Sequence, residues 1–395
     1  MRITEGVPRL LFVSNQVDDF LRYRMELVRK VQEAGYDVHV ALPQEPGLED
    51  IASQGVIVHI IHLQRMSTGL VDQIRYWVSL LQLYLRLRPT VVHHMCIQPV
   101  LYGGIAARVV GVPVVINTFY GFGYLFCTHT IKAHVLRPLV TVALRFALQH
   151  ENHRVIVQNS ADRDFLLSRF NLSSDHVVLI KGSGVDLSLF LPEAEPDGLP
   201  VVLMASRLLW TKGVKDFVSA AQVIRARGIK ARFVLVGEPD RDHPSAIPTD
   251  TLKHWNDAGD IEWLGYQFDM PTVIAQSHIV CLPSCYGEGV PRILQEAAAV
   301  GRPAVATETP GCLEAVHHGQ NGLIVPVGDI EALAEALAQL IGNSLLRRSM
   351  GNRGREIAVT EFSLDQVVDA NLSVYRALLC SAAERAKSHS ETIHS

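Results

Sequence analysis

Short runs of apolar, mostly β-branched residues alternate with helix-length stretches along the first half of the chain. Runs of this kind are typical of strands that are buried on both faces of a sheet. Most are followed by a stretch long enough for a crossover helix, which is the pattern of βαβ units with parallel strands. The predicted strands occupy residues 10–13, 38–41, 56–60, 91–92, 114–116, 155–157 and 177–180.

The same alternation restarts after a break at residues 191–200, where Pro192, Pro196 and Pro200 stand among acidic side chains. This composition is typical of a linker. The sequence therefore predicts an α/β fold with two doubly wound, Rossmann-like domains. The second set of predicted strands occupies residues 201–204, 233–236, 261–264, 279–282, 304–306 and 323–325.

The expected domains are an N-terminal acceptor-binding domain at residues 1–190, the linker at 191–200 and a donor-binding domain at 201–360. A C-terminal helix at 361–387 closes the chain and could cross back to the first domain. Parallel sheets present their ligand-binding loops at the carboxyl ends of the strands. We therefore expect the ligand in a cleft between the two domains.

Composition places the chain among folded globular proteins. With 395 residues, 48% hydrophobic and 19% charged, it is neither disordered nor fibrous. Six cysteines are too few for a disulfide scaffold, and together with the lack of a recognisable signal peptide they predict reduced thiols and a cytoplasmic protein. No apolar run reaches the roughly 18 residues that a transmembrane helix needs, so none is expected.

Positive charge is concentrated in the first half, although the net charge of the chain is −4. Residues 51–160 hold nine Lys or Arg and two acidic residues. This is either chance clustering on a solvated surface or a surface that meets an anionic membrane or a phosphate group.

The most informative motif follows the predicted strand that ends at Leu282. Glu288 lies in a loop between two glycines, and Glu296 lies on the helix that Pro291 introduces. Carboxylates placed in this way can accept hydrogen bonds from hydroxyls at both ends of a ligand whose phosphates lie between them, near the helix start. That geometry suits a nucleotide sugar. The alternative is an ordinary loop glutamate and an exposed helix glutamate, because this spacing is common by chance.

Two cations follow the first predicted strand of the second half. Arg207 comes shortly after that strand and Lys212 five residues later, before a glycine and a helix. Arginine supplies bidentate donors and lysine a point charge, which together suit a diphosphate. The alternative is a pair of solvated surface cations.

Together these stretches resemble the retaining glycosyltransferases of family 4, which have the GT-B fold of two Rossmann-like domains facing across a cleft. The resemblance spans essentially the whole chain and is strongest at residues 181–327. It is similar above all to bacterial enzymes that extend O-antigen, capsule or exopolysaccharide on a lipid carrier. The motifs that carry it are Ser206-Arg207-Leu208, Lys212-Gly213, the Glu288 and Glu296 pair, and residues 310–314 and 319–323.

The resemblance implies a role for each motif residue. The residues that match Arg207 and Lys212 neutralise the donor diphosphate, and with the match of Glu288, which contacts the donor sugar, they form the catalytic set. The match of Glu296 binds the ribose hydroxyls. Donor contacts are also expected from Gly289, Val290 and Pro291, where backbone amides face the ligand, and from Glu314.

The resemblance also implies the reaction. It indicates a retaining hexosyltransferase that needs no metal and no cofactor, takes a nucleotide sugar (most simply a UDP-sugar) and extends a polyprenyl-diphosphate-linked saccharide. The sequence has no Asp-x-Asp motif and no convincing metal-ligand cluster. The expected place is the cytoplasmic face of the membrane, on an anionic surface, with no nucleic acid as partner. Two alternatives stay open: a nucleotide-sugar epimerase of the same fold, or a non-catalytic sugar-nucleotide-binding subunit.

The first half departs from the family pattern in the loop after residues 114–116. Tyr120 stands where many relatives have a histidine, and His129 is a candidate substitute. Tyr120, Phe122, His129 and Lys132 are therefore candidates for acceptor or membrane contact, because aromatic rings and cations both gain free energy at a membrane interface. A helix at 70–88 adds a further apolar face. The alternative for both segments is ordinary core packing.

Overall fold

A computed structural model of the chain describes residues 6–63, 69–122, 131–240 and 243–394. The contacts divide the chain into two compact units, one formed by Met1–Ile180 with Val368–Ser395 and the other by Lys181–Val367. Each unit is built on its own parallel sheet with alternating helices. The predicted α/β fold with two Rossmann-like domains is therefore confirmed.

The strands of the first unit are β1 (Arg9–Val13), β2 (Asp37–Pro43), β3 (Ile57–Ile61), β4 (Val91–Met95), β5 (Val114–Thr118), β6 (His153–Val157) and β7 (Val177–Leu179). They form one seven-stranded sheet in the order β3-β2-β1-β4-β5-β6-β7. The helices are α1 (Val17–Tyr23), α2 (Met25–Glu33), α3 (Leu48–Ala52), α4 (Leu70–Leu87), α5 (Gly104–Val110), α6 (Ile131–Leu148) and α7 (Ser160–Phe170). A π-helical turn, Pro99–Gly103, precedes α5.

The strands of the second unit are β8 (Val201–Ala205), β9 (Arg232–Val236), β10 (Glu262–Trp263), β11 (Ile279–Leu282), β12 (Ala304–Thr307) and β13 (Gly322–Val325). They form a six-stranded parallel sheet in the order β10-β9-β8-β11-β12-β13. The helices are α8 (Val214–Ala226), α9 (Thr249–Asp257), α10 (Met270–Ala275), α11 (Arg292–Val300), α12 (Pro310–Ala315), α13 (Ile330–Gly342) and α14 (Ser344–Glu361). Every predicted strand overlaps a strand of the structure.

A last helix, α15 (Leu364–His394), begins in the second unit and belongs to the first unit from Val368 onward. It covers one face of the first sheet, where the Tyr375 hydroxyl hydrogen-bonds His93 Nδ1 at 2.7 Å. The neighbouring His94 points to the opposite face and hydrogen-bonds Tyr84 of α4 at 2.8 Å. Successive residues of a strand alternate between faces, so these adjacent histidines cannot share one ligand.

The division between the units falls before the expected linker, which corrects the boundary at 191–200. That segment packs within the second unit. Arg302 donates to the carbonyl oxygens of Glu193 (2.7 Å) and Ala194 (3.0 Å), and Arg347 pairs with Glu195 at 2.9 Å. Buried arginines thus anchor this proline-rich, acidic segment, because they donate hydrogen bonds to its carbonyl oxygens.

Within the described ranges, no helix combines the length and apolar composition needed to cross a bilayer.

Candidate functional site

The predicted site residues of the second half gather at the carboxyl edge of the second sheet. The loops after β8 and β11 touch there, because the Cys285 amide donates to the Thr211 carbonyl at 2.9 Å. Gly213 has a φ of +78°, and a Cβ at this position would lie 1.8 Å from the Pro283 carbonyl oxygen. Only glycine fits this turn, and its close approach fixes the neighbouring Lys212 against the loop that carries Glu288.

Lys212 and Glu288 form an ion pair at this contact. The exposed fraction of Lys212 is 8%, and Ser284 Oγ donates to the other Glu288 oxygen at 3.1 Å. Burial lowers the pKa of Lys212, but the charge and hydrogen bond of Glu288 together with the nearby Tyr286 outweigh burial, and the pKa is raised. Lys212 is therefore a fixed positive charge, and an anionic ligand at this edge would meet it already oriented.

Arg207 lies on the same loop but is held by a different acid. Its Nη1 lies 3.2 Å from Asp240 Oδ2, in the loop after β9, and its side chain is 44% exposed. The positive charge of Arg207 acts on Lys212 and opposes the rise in its pKa. The two predicted cations are thus close enough to interact electrostatically, and each has its own carboxylate partner.

Glu296 is buried in the first turns of α11, with an exposed fraction of 7%, so the alternative of an exposed helix glutamate is wrong. Arg292 Nε lies 2.7 Å from Glu296 Oε1. Burial raises the pKa of Glu296, and Arg292 opposes that rise. Sequence analysis missed Arg292, although an Arg and a Glu four residues apart on one helix face are a recognisable pair.

Arg292 also connects the motif to a distant part of the chain. Its Nη1 donates to the Gly184 carbonyl at 3.0 Å and lies 3.4 Å from Ser183 Oγ. The same segment approaches α11 closely, since a Cβ at Gly182 would lie 2.4 Å from Gln295 Oε1. Arg292 therefore fixes the start of α11 against residues 182–184.

The loop of Gly289, Val290 and Pro291 packs against the start of α12. A Cβ at Gly311 would lie 1.9 Å from the Gly289 carbonyl oxygen. Val290 is buried, its carbonyl accepts from Gln295 Nε2 at 3.1 Å, and Pro291 is the residue before α11. The backbone of this loop is therefore held on both sides.

Glu314 of α12 pairs with Lys181 at 3.4 Å, and Lys181 also pairs with Glu361 at 2.6 Å. Sequence analysis had no signal for Lys181, because both contacts are long-range. Glu314 is thus engaged in an ion-pair cluster beside the site.

The candidate acceptor or membrane contacts of the first half lie in different environments. Tyr120 follows β5 and is partly buried, with the Arg24 guanidinium 4.5 Å from its ring centroid. Burial raises the pKa of the Tyr120 hydroxyl, and Arg24 opposes the rise. Phe122 is 5% exposed and packs on Phe165, with ring centroids 4.4 Å apart. The prediction that Phe122 contacts a membrane is therefore wrong, because its ring is core.

His129 lies outside the described residues, as does the side chain of Lys132 in α6. Among the described residues, no group of three or more His, Cys, Asp and Glu is placed to hold a metal ion.

A cavity of about 440 Å³ lies at the opposite, amino edge of the second sheet, lined by Arg225, Lys230 and Arg232 among others. Two of these cations are paired, Arg225 with Asp260 at 3.1 Å and Arg232 with Glu262 at 2.6 Å. Ligands of α/β sheets bind at the carboxyl ends of the strands, so we place the functional site at the carboxyl edge.

Comparison with known proteins identifies the family of the chain. Residues 9–159 match the family described as glycosyl transferase 4-like, and residues 199–343 match the family described as glycosyl transferases group 1. The chain belongs to the group 1, family-4-like glycosyltransferases. The two matches together span most of both units: the first includes β1 to β6 of the first sheet, and the second includes all six strands of the second sheet.

Two curated bacterial glycosyltransferases are similar over most of their length. An N,N'-diacetylbacillosaminyl-diphospho-undecaprenol α-1,3-N-acetylgalactosaminyltransferase of Campylobacter jejuni is 25% identical over 364 residues, which is 89% of this chain and 94% of the relative. A UDP-Gal:α-D-GlcNAc-diphosphoundecaprenol α-1,3-galactosyltransferase of Escherichia coli is 23% identical, covering 86% and 89%.

Among solved structures, Anabaena HepE in complex with UDP and glucose superposes with a TM-score of 0.74. The two proteins are 18% identical, and the match covers 93% of this chain and 99% of HepE. This likeness shows that the glycosyltransferase has the GT-B fold.

Proposed function

We propose that this glycosyltransferase moves a sugar from a UDP-sugar to a saccharide carried on polyprenyl diphosphate, in the synthesis of a bacterial surface polysaccharide. The observation that carries the proposal is the ion pair of buried Lys212 with half-buried Glu288, at the same carboxyl edge of the donor-side sheet as buried Glu296. The names of both curated relatives include a diphosphoundecaprenol-linked sugar, and HepE was solved with UDP.

In the proposed mechanism, Arg207 and Lys212 hold the donor diphosphate, Glu296 accepts hydrogen bonds from the ribose hydroxyls and Glu288 faces the donor sugar. Gly289, Val290 and Pro291 present the backbone beside the phosphates, and Glu314 is a further donor contact. Breaking the bond between the sugar C1 and the diphosphate builds negative charge on the leaving group. Fixed cations favour that charge more in the transition state than in the ground state.

We further propose that transfer retains the anomeric configuration and needs no metal or other cofactor, since Arg207 and Lys212 can supply the charge that a metal would. The acceptor hydroxyl oxygen bonds to C1 as the diphosphate leaves, and its proton passes to the leaving diphosphate. The products are a saccharide longer by one sugar, in the same anomeric form as the donor, and UDP. The first unit, with Tyr120, is the proposed acceptor side, at the cytoplasmic face of the membrane.

The test is transfer of radiolabelled sugar from a panel of UDP-sugars to a polyprenyl-diphosphate-linked acceptor, measured in the organic extract with and without EDTA. We expect label in the lipid fraction, unaffected by EDTA and lost in Lys212→Ala. The matched control Lys215→Ala removes an exposed lysine three residues away and should transfer normally. Release of a rearranged sugar nucleotide with no lipid product would instead support the epimerase, and UDP binding without turnover would support a non-catalytic subunit.

A further inference from the structure

Three helices cover one face of the first sheet. Helix α4 is joined to β4 through the hydrogen bond between Tyr84 and His94. Helix α5 is joined to α6 by Arg108, whose Nη1 donates to the Phe146 carbonyl at 2.8 Å. Since α4 follows β3 and α6 follows β5, both begin at the carboxyl edge of this sheet, where ligand-binding loops of α/β domains lie.

The outer side of α4 exposes apolar side chains near both of its ends. Its buried side chains are Tyr76, Leu80, Leu83, Tyr84 and Leu87, and a second apolar stripe lies on the other side at spacings of three and four residues. Val71, Ile74 and Leu85 in this stripe are 51% to 61% exposed. The expectation that helix 70–88 simply faces the core is therefore only half correct, because the helix is apolar on both sides. Between these exposed positions Val78 is half-buried and Leu81 packs partly against the core, so the exposed apolar positions of this stripe are Val71, Ile74 and Leu85.

The stripe continues across the other two helices. Val109 of α5 is 60% exposed, and on α6 Leu139, Val142 and Phe146 are 68%, 65% and 44% exposed, again three and four residues apart. Exposed apolar side chains grouped in this way on adjacent helices are uncommon on monomeric soluble proteins and mark an interaction site. We call the outer side of α4, α5 and α6 the three-helix face.

The three-helix face is also basic. The sequences of α4, α5 and α6 contain one acidic residue, Asp72, and six basic residues. Arg75, Arg86 and Arg145 are exposed among the apolar side chains. The Arg108 guanidinium lies 4.2 Å from the ring centroid of Phe146, so cation and apolar surface are interleaved rather than separate.

The charge decides what this face binds. A second copy of the chain would place the same basic face against itself in a symmetric dimer, and like charges facing each other are unfavourable. A nucleic acid would satisfy the arginines but gain little from Val, Ile and Leu, since bases stack on aromatic rings. An anionic bilayer surface satisfies both, because headgroups pair with the arginines while aliphatic side chains enter the interfacial layer.

We propose that the three-helix face docks the protein on anionic lipid headgroups, with the apolar side chains of α4 and α6 inserted between them. The proposal rests on the proposed function for its purpose, since a polyprenyl-linked acceptor resides in a bilayer. It places the starts of α4 and α6, which lie at the carboxyl edge of the first sheet, against the surface from which that acceptor would be taken.

The test is co-sedimentation of the full chain with lipid vesicles. One set contains phosphatidylcholine with about 30 mole per cent phosphatidylglycerol, which gives an anionic surface that attracts clusters of basic residues. The other set contains phosphatidylcholine alone. We expect strong binding to the anionic vesicles only. Each surface arginine contributes about fivefold to partitioning, so Arg75→Gln with Arg86→Gln should weaken binding roughly thirtyfold. Ile74→Glu with Leu85→Glu should abolish it.

Controls keep the result separable from folding and from catalysis. Leu264→Glu with Phe268→Glu places the same charges on exposed apolar positions of the second unit and should bind vesicles normally. All variants should keep wild-type thermal melting, since the changed side chains are exposed.

If the three-helix-face variants bind anionic vesicles as the wild type does, or if the wild type binds neither vesicle, the proposal is overturned. It is equally overturned if the wild type is a dimer that these variants dissociate, or if RNA rather than lipid is what they fail to bind. Vesicle binding without sugar transfer would contradict the proposed function and leave the docking surface standing.

Discussion

Arg292 Nε lies 2.7 Å from the Glu296 carboxylate, one helical turn away, and the same guanidinium donates to the Gly184 carbonyl at 3.0 Å. A buried carboxylate is costly to ionise unless a cation faces it. Burial raises the pKa of Glu296, and Arg292 opposes that rise and so favours the charged form, which can accept hydrogen bonds from two adjacent ribose hydroxyls.

The first prediction concerns this pair. In Arg292→Met the burial of Glu296 is unopposed, its pKa rises further, and the protonated form loses acceptor capacity. We expect UDP affinity to fall about tenfold or more at neutral pH, as for loss of a charge-assisted hydrogen bond, and to recover as pH rises. Arg292→Lys should restore much of the affinity. Calorimetric titration of UDP at several pH values above the ordinary glutamate pKa of about 4.3 measures this, with exposed Arg348→Met as the control. A wild-type affinity at every pH in Arg292→Met would contradict it.

The second prediction concerns the Lys212 and Glu288 pair, whose side chains are 10% and 17% exposed. Removing one partner of a largely buried pair leaves an uncompensated charge and costs about 3 kcal/mol. We therefore expect Lys212→Met and Glu288→Gln each to lower the free energy of unfolding, and the double variant to recover part of that loss. Sugar transfer should be lost in all three variants.

Urea denaturation of the wild type and the three variants measures the coupling energy of this pair. The transfer assay measures what the pair contributes to catalysis. A double variant that regained both stability and transfer would show that the pair is structural only. Absence of any coupling in stability would show that the two charges do not interact in solution.

The sequence predicted the strands well because parallel sheets are covered on both faces, so their strands are continuous apolar runs that need no partner to be recognised. It predicted the chemical types at the site but not their partners. Arg292 to Gly184, Lys181 to Glu361 and Arg207 to Asp240 join residues 33 to 180 positions apart, and no local pattern encodes such contacts.

The errors have the same origin. Residues 191–200 have the composition of a linker, but Arg302 and Arg347 bind them from distant elements. Phe122 follows a glycine in a loop rich in aromatic residues, and only the packing of Phe119 and Phe165 around it shows that it is core. Local composition indicates how a segment would behave in isolation, whereas its burial depends on the residues that pack against it in the folded protein.

The third prediction concerns acid stability. His94 is fully buried, accepts from the Tyr84 hydroxyl and donates Nδ1–H to Asn117 Oδ1 at 2.8 Å. Burial lowers its pKa from 6.5 to about 4. The unfolded chain therefore binds a proton as pH falls below 6.5, while the folded chain does not until about pH 4. This contribution of His94 to the free energy of unfolding is fully present above pH 6.5. It falls by about 1.4 kcal/mol per pH unit between pH 6.5 and about pH 4.

Denaturation of wild type and His94→Gln at pH 7.5 and pH 5.0, values on either side of the histidine's ordinary pKa of about 6.5, tests this. The wild type should lose more stability on acidification than the variant does. Parallel losses in both proteins would mean that His94 is not held neutral.

The central claim is that the donor's diphosphate and ribose bind at the carboxyl edge of the second sheet, and a crystal structure of the protein with bound UDP tests it most directly. We predict diphosphate oxygens within about 3 Å of Lys212 Nζ and of the Arg207 guanidinium, and ribose hydroxyls within the same distance of the Glu296 carboxylate. UDP bound in the cavity at the amino edge, beside Lys230 and Arg232, with those three side chains untouched, would contradict the account.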